Sequence, residues 1–239
     1  MSYGRIGVIG AMDSELAALI AALAQPARET VQGLAFHTGR LGAREVVLVR
    51  CGIGKVSAAR CTQVLIDRFA PAAVINTGIA GGLASGLAIG DIVVADGLVQ
   101  HDFDAAPIGF VRGCLCMGDP GAPTVFTPDE PLSALLARTA GDAAGAQRVH
   151  RGLIATGDQF ISGAAAKAAL RRAFPSAMAA EMEGGAVAQA ASMGGVPFAV
   201  VRAISDLADG TAAASFEQFE QRAADVSAAA VLQALALLD

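Results

Sequence analysis

Residues 5–23 read RIGVIGAMDSELAALIAAL. The apolar run Arg5 to Gly10 is bounded by glycine and reads as a buried strand, and Asp13 then opens an amphipathic stretch to about Leu23. An apolar run of this length without polar alternation fits a strand covered on both faces, the signature of a sheet sandwiched between helices. The same alternation runs along the chain. Strands are expected at 34–38, 45–49, 73–76, 91–99, 149–155, 178–182 and 198–204, and helices at 55–69, 131–141, 164–174, 186–193 and 216–238. Strands alternating with helices predict an α/β fold: a single domain over 1–239 with a central, mixed but largely parallel sheet flanked by helices. The segment 101–129 carries four of the nine prolines and four glycines, and is expected to be irregular, as a lid or part of a subunit contact.

Composition narrows the function. The chain has 239 residues, 17 Lys and Arg against 22 Asp and Glu, a net charge of −5 and a positive mean hydropathy of +0.53. A disordered chain is excluded, and an acidic balance argues against a nucleic-acid partner, which needs a basic face. No uncharged apolar run of about 20 residues suggests a membrane span. Asp13 and Glu15 stand where the apolar core of a secretory leader would lie, so a cytoplasmic protein is expected. Four cysteines (Cys51, Cys61, Cys114, Cys116) make no disulfide scaffold, and Cys114 and Cys116 with His101 and His150 lack a zinc spacing. Neither a metal nor a cofactor is expected.

Ligands of open α/β sheets bind beyond the carboxyl ends of the strands. The segments there are rich in glycine and carboxylates: Gly10 to Glu15, Cys51 to Lys55, Thr77 to Gly82, Thr156 to Ile161, Glu181 to Gly185, and Ser205-Asp206. Gly52-Ile-Gly54-Lys55 is not a phosphate loop, since Val49 stands at the first glycine and Val56 replaces Ser/Thr. Taken singly, Glu15 reads as a first-turn glutamate facing a helix dipole, Asp206 as a helix N-cap, and Met182 and Phe160 as core.

The ordered set IGAMDSE, CGIGKV, INTGIAGGL, GDIVVAD, GLIATGDQFI, AEMEGGAVA and VVRAISDLAD, spread over nearly the whole chain, resembles the purine nucleoside phosphorylase/nucleosidase superfamily. Within it, the resemblance is to the bacterial 5′-methylthioadenosine/S-adenosylhomocysteine nucleosidases. It implies a nucleoside phosphorylase-like fold and hydrolysis of the N-glycosidic bond of a 5′-substituted adenosine. Glu15 would activate water and Asp206 would protonate purine N7. Glu183 would hold the ribose hydroxyls, assisted by Glu181, with Met182 on the sugar face. Phe160 would stack on the base and Ile161 offer backbone hydrogen bonds. Met12, Arg202 and Ser205 are further candidates beside the two catalytic carboxylates. Ile53, Ile108 and Phe216 would surround the 5′ group, with Ile108 reaching in from a partner subunit, which implies a homodimer. A phosphorylase of the superfamily would need arginines where Met12 to Glu15 and Asn76 to Gly78 stand. Ile79 takes a position where many hydrolytic relatives carry a small hydroxyl residue, so water positioning would fall to Glu15 and Arg202. Futalosine-type nucleosidases, phosphorylases and a non-catalytic nucleoside-binding protein are the alternatives.

Overall fold

The computed structural model describes residues 4–116, 118–144 and 148–238. Ten strands form one sheet: β1 (Ile6–Gly10), β2 (Ala24–Val31), β3 (Leu34–Leu41), β4 (Arg44–Arg50), β5 (Ala73–Gly82), β6 (Ile92–Gln100), β7 (Val125–Phe126), β8 (Val149–Thr156), β9 (Ala177–Glu181) and β10 (Phe198–Asp206). Six helices cover it: α1 (Asp13–Ala21), α2 (Lys55–Phe69), α3 (Glu130–Ala144), α4 (Ala164–Ala173), α5 (Gly184–Met193) and α6 (Ala212–Leu237).

The strand order is β10-β6-β8-β9-β5-β1-β4-β3-β2, and β10 also pairs with β5. The strands β10, β6, β8, β9 and β5 therefore close into a ring, and β1, β4, β3 and β2 extend from it. Pairings β1–β4, β1–β5, β10–β5, β6–β8 and β8–β9 are parallel. The β2–β3–β4 meander, β5–β9, β6–β7 and β10–β6 supply the antiparallel ones. The sheet is thus mixed, as expected.

Alternation at period two assigns each strand residue to a helical layer. Val8, Val46, Leu48, Ile75 and Val201 pack toward α1, α3 and α6. Their neighbours Ile9, Val47, Val49, Val74 and Val200 pack toward α2 and α5. Both faces are covered, which is why these strands read as unbroken apolar runs. Glycine at position 7 lets Leu65 of α2 lie on the sheet, since a Cβ there would stand 2.6 Å from Leu65 Cδ2.

Two features depart from the expected elements. β2 is an edge strand, almost wholly exposed, and its pairing shifts register between Ala24 and Ala27 around Pro26. With no buried face it carries no alternation, and proline is tolerated there because an edge strand need not donate on both sides. β5 and β10 run on to Gly82 and Asp206, beyond the expected 76 and 204, because each lends the other its backbone partner through Gly81 and Asp206. Among the described residues, 101–116 and 118–129 are irregular as expected, save a single 3-10 turn at Ala106–Ile108 and the two residues of β7. No helix among the described residues is long and apolar enough to cross a membrane.

Leu65 is fully buried in the α2–sheet layer. Leu65→Ala should lower the free energy of unfolding by about 2–5 kcal/mol in urea titration; a loss below about 1 kcal/mol would mean that α2 collapses onto Gly7 and fills the space.

Candidate active site

The carboxyl ends of β1, β5, β9 and β10 and the first turns of α1 and α6 surround a cleft of about 640 Å³, mouth included. Lined mainly by apolar side chains with a few polar groups, it has the form of a small-molecule site. Of the residues expected to bind or react, Met12, Glu15, Ile53, Phe160, Ile161, Glu181, Met182, Glu183, Ser205, Asp206 and Phe216 line it. Ile108 does not: it sits on the 3-10 turn, 74% exposed, outside the cleft of its own chain. Arg202 does not line it either. Its guanidinium is turned inward, donating to Glu181 Oε2 at 2.6 Å, to the Asn76 backbone oxygen at 3.2 Å and to Asn76 Oδ1 at 2.5 Å. With those donors engaged, Arg202 orients Glu181 rather than holding a water directly.

Glu15 is the third residue of α1 and is held by three backbone donors. Oε2 accepts from Ala11 N at 2.6 Å and Met12 N at 3.0 Å, and Oε1 accepts from Ile79 N at 3.1 Å. The Met12 bond is half of a capping box, so the helix-start position of Glu15 also orients its carboxylate. Two oxygens offer about four lone-pair sites, which leaves one on Oε1 for a further donor. Burial raises the Glu15 pKa above the ordinary range, against the lowering charge of Arg202 and the three N–H groups. Gly78 makes this possible, because a Cβ there would come within 2.9 Å of Glu15 Cδ and closer still to Oε1.

Asp206 ends β10. Its Oδ1 accepts from Ala208 N at 2.8 Å and its Oδ2 from Ser205 Oγ at 3.0 Å. Burial again raises the pKa, with Ala208 N–H and Ser205 Oγ–H working against it. Gly81 clears the way, since a Cβ there would lie 2.9 Å from Asp206 Oδ1. Lys167 Nζ braces the same corner by donating to the carbonyls of Gly82 at 2.9 Å and Leu207 at 2.6 Å.

Glu181 and Glu183 flank Met182 at the β9–α5 turn and behave oppositely. Glu181 accepts from Thr156 Oγ1, from Glu183 N at 3.0 Å, from Gly184 N at 2.7 Å and from Arg202. Burial pushes its pKa up, but the Arg202 charge and these donors hold it below the usual range. Glu183 has one donor, Gly54 N at 2.8 Å, and burial together with the charge of Glu181 pushes its pKa up to about 8. At the mouth, Phe160 meets Phe216 edge-on with ring centroids 5.7 Å apart.

The sequence reading did not single out Ala11, Ala80, Gly81, Gln159 and Ala180 as lining residues, nor Thr156 and Asn76 as supports. The glycines were the available signal, since Gly78 and Gly81 mark where backbone passes a carboxylate. Ile79 acts through its main chain: its N–H holds Glu15 while its side chain walls the cleft.

The family model of the phosphorylase superfamily matches residues 5–236. A 5′-methylthioadenosine/S-adenosylhomocysteine nucleosidase of Actinobacillus succinogenes is 42% identical over 235 residues, covering 98% of this chain and all of the relative. The solved structure of an S-adenosylhomocysteine nucleosidase from Streptococcus pyogenes, in complex with 5-methylthiotubericidin, superposes with a TM-score of 0.92 at 40% identity, covering 100% of this chain and 99% of the other. That of the S. pneumoniae nucleosidase with a transition-state inhibitor gives a TM-score of 0.91 at 40% identity, covering 98% and 100%.

A folded Glu183 with its pKa near 8, against 4.5 when unfolded, binds a proton more tightly in the native state. The stability this confers is complete below pH 4.5 and is lost as the pH rises through about 8. Glu183→Gln should therefore melt progressively higher than the wild type between pH 5 and 8.5, followed by circular dichroism. A melting difference that stays constant across that range would show that Glu183 ionises normally.

Proposed function

The chain belongs to the phosphorylase superfamily and, within it, to the 5′-methylthioadenosine/S-adenosylhomocysteine nucleosidases, and we propose that it hydrolyses the N-glycosidic bond of these two nucleosides to adenine and the free thiosugar. The observation that carries this reading is the charge of the cleft: four carboxylates line it and, among the described residues, no Lys, Arg or His does. A phosphate nucleophile placed among desolvated carboxylates is repelled by several kcal/mol, whereas water is not. Lys55, the cation nearest in sequence to a glycine turn of the site, is already paired with Asp102 at 2.6 Å.

Asp206, whose pKa burial raises, gives its proton to N7 of the purine. The C1′–N9 bond lengthens and its electron pair passes to the base, which leaves as neutral adenine. Glu183 and Glu181 hold the sugar hydroxyls; Glu181 as a standing anion, and Glu183 once it ionises, stabilise the cationic sugar. Water on the free Oε1 position of Glu15 attacks C1′ and gives a proton to Glu15. The new C1′–OH bond replaces C1′–N9, so one water is consumed for each nucleoside. Met12, Met182 and Ile53 line the sugar and 5′ side, while Phe160, Ile161 and Ser205 serve the base and its acid.

The 5′ end of the cleft is the least enclosed part. Ile53 is 58% exposed and Phe160 48% exposed, while Ile108 lies outside. We therefore place Ile108 in the cleft of a second copy, in a homodimer whose two sites each borrow this turn. The enzyme would act in the cytoplasm, in methionine salvage.

The test is chromatography of 5′-methylthioadenosine incubated with the protein, with and without phosphate. Adenine and free thiosugar at equal rates in both tubes is the expected result. Sugar 1-phosphate formed only with phosphate would make it a phosphorylase, and release from futalosine alone would move the 5′ specificity. Glu15→Gln and Asp206→Asn should each lower turnover by about 10²–10⁴ without loss of fold. Near wild-type turnover in either variant would remove that carboxylate from the chemistry.

A further inference from the structure

A closed circuit of hydrogen bonds lies just outside the cleft. Lys55 Nζ donates to Asp102 Oδ1 at 2.6 Å, Asp158 N donates to Asp102 Oδ2 at 2.9 Å, and Lys55 N donates to Asp158 Oδ1 at 2.8 Å. The three residues belong to three separate segments, at the start of α2, after β6 and after β8. None of them lines the cleft. The residues beside them do. Gly54, next to Lys55, gives its N–H to Glu183, and Asp158 begins the turn that presents Gln159, Phe160 and Ile161. Gly54 is wedged against the circuit, since a Cβ there would stand 3.0 Å from Asp158 Oδ1, and its φ of +95° suits glycine.

We propose that Lys55, Asp102 and Asp158 form a positioning clasp that fixes the base-binding turn 157–161 against the Gly54 N–H that holds Glu183. This rests on the nucleoside reading above, in which that turn grips the purine and Glu183 the sugar. Cleavage between purine and sugar requires both to be held at one fixed separation, and a displacement of about 1 Å can cost roughly 10²-fold in rate. The clasp is suited to that task. The Lys55 and Asp102 side chains are only 19% and 14% exposed, so their attraction is far less screened than in a surface pair. Burial works to raise the Asp102 pKa, but Lys55 and the Asp158 N–H outweigh it and hold the carboxyl below its ordinary range, which favours its anionic form. The neighbouring His101 is buried with both ring nitrogens unpartnered, and burial lowers its pKa, so it brings no competing cation to Asp102.

The clasp also reaches the ionisation of Glu183. The groups facing Glu183 are Glu181 on β9, Arg202 on β10, Glu15 on α1 and the Cys51 thiol after β4, together with the Gly54 N–H, whose donation lowers the Glu183 pKa. Releasing Gly54 removes that donation, so Glu183 would hold its proton to higher pH.

The experiment compares the wild type with Lys55→Met, Lys55→Arg and Asp158→Ala, measuring adenine affinity by calorimetry and kcat/KM for 5′-methylthioadenosine against pH. Asp158 is exposed, so its replacement opens no core and the test does not depend on Lys55→Met folding. Expected for Lys55→Met and Asp158→Ala are adenine binding weaker by about 10-fold, kcat/KM lower by about 10–100-fold, and an acid limb moved to higher pH. Lys55→Arg should recover most of each. Wild-type adenine affinity and an unmoved acid limb in both variants would overturn the clasp. A wild type that binds adenine but releases none from 5′-methylthioadenosine would overturn the proposed function, while adenine affinity would still decide the clasp.

Discussion

The buried ion pair between Arg202 and Glu181 is the constraint on which the site depends. Both side chains are 2% exposed and their charged atoms are 2.6 Å apart. Two charges taken out of water are costly unless every remaining donor and acceptor is satisfied. Here the guanidinium also donates to the Asn76 main chain and carboxamide, and Glu181 also accepts from Thr156 and two main-chain N–H groups. Satisfying the pair therefore locks β5, β8, β9 and β10 in register at the ends where the cleft opens. The same guanidinium is the charge that Glu15, Glu181 and Glu183 all feel. Without it, three buried carboxyls would share one region with no compensating cation.

The internal cation, Arg202, also shapes the chemistry. Its charge is balanced by Glu181 at the cleft wall, and among the described residues no cation lines the ligand-facing surface. Anionic nucleophiles are kept out, and a sugar that develops positive charge is favoured. Lys55 and Lys167, two further cations near the strand ends, are engaged with Asp102 and with main-chain carbonyls. Each thus ties segments together instead of presenting charge to a ligand.

Much of this was readable before any coordinates. The buried strands announced themselves because both faces are covered, and the glycine-and-carboxylate turns lay at the strand ends that line the cleft. The signal failed where side chains point away from any core. β2 has no buried face, so it shows no pattern to detect. The extensions of β5 and β10 were hidden because Thr77 to Gly82 looks like a turn, yet its glycines serve close approach: Gly78 passes Glu15 and Gly81 passes Asp206. Arg202 sits inside the apolar run of β10, and its inward direction follows from partners on β5 and β9 that are distant in sequence. Contacts through main-chain atoms, such as Ile79 N to Glu15, are invisible to any reading of side-chain types.

Burial alone does not explain how carboxyls in one cleft take different parts, since it raises all four. The distinction comes from the donors. Glu181, with Arg202 and three other donors, is held ionised and serves as a fixed anion. Asp206 has one main-chain N–H and one hydroxyl, with the Lys167 ammonium a minor influence, so burial prevails and the acid form is favoured. Glu15 is raised by burial as well, with the charge of Arg202 and three N–H groups acting against it. That balance yields a carboxylate more basic than a free one yet oriented by its main-chain donors. The isoleucine at position 79 removes a hydroxyl from the cleft but keeps the N–H that orients Glu15. Position 79 contributes a main-chain donor at the end of a glycine-led approach, which any residue but proline that leaves the β5 backbone in place supplies.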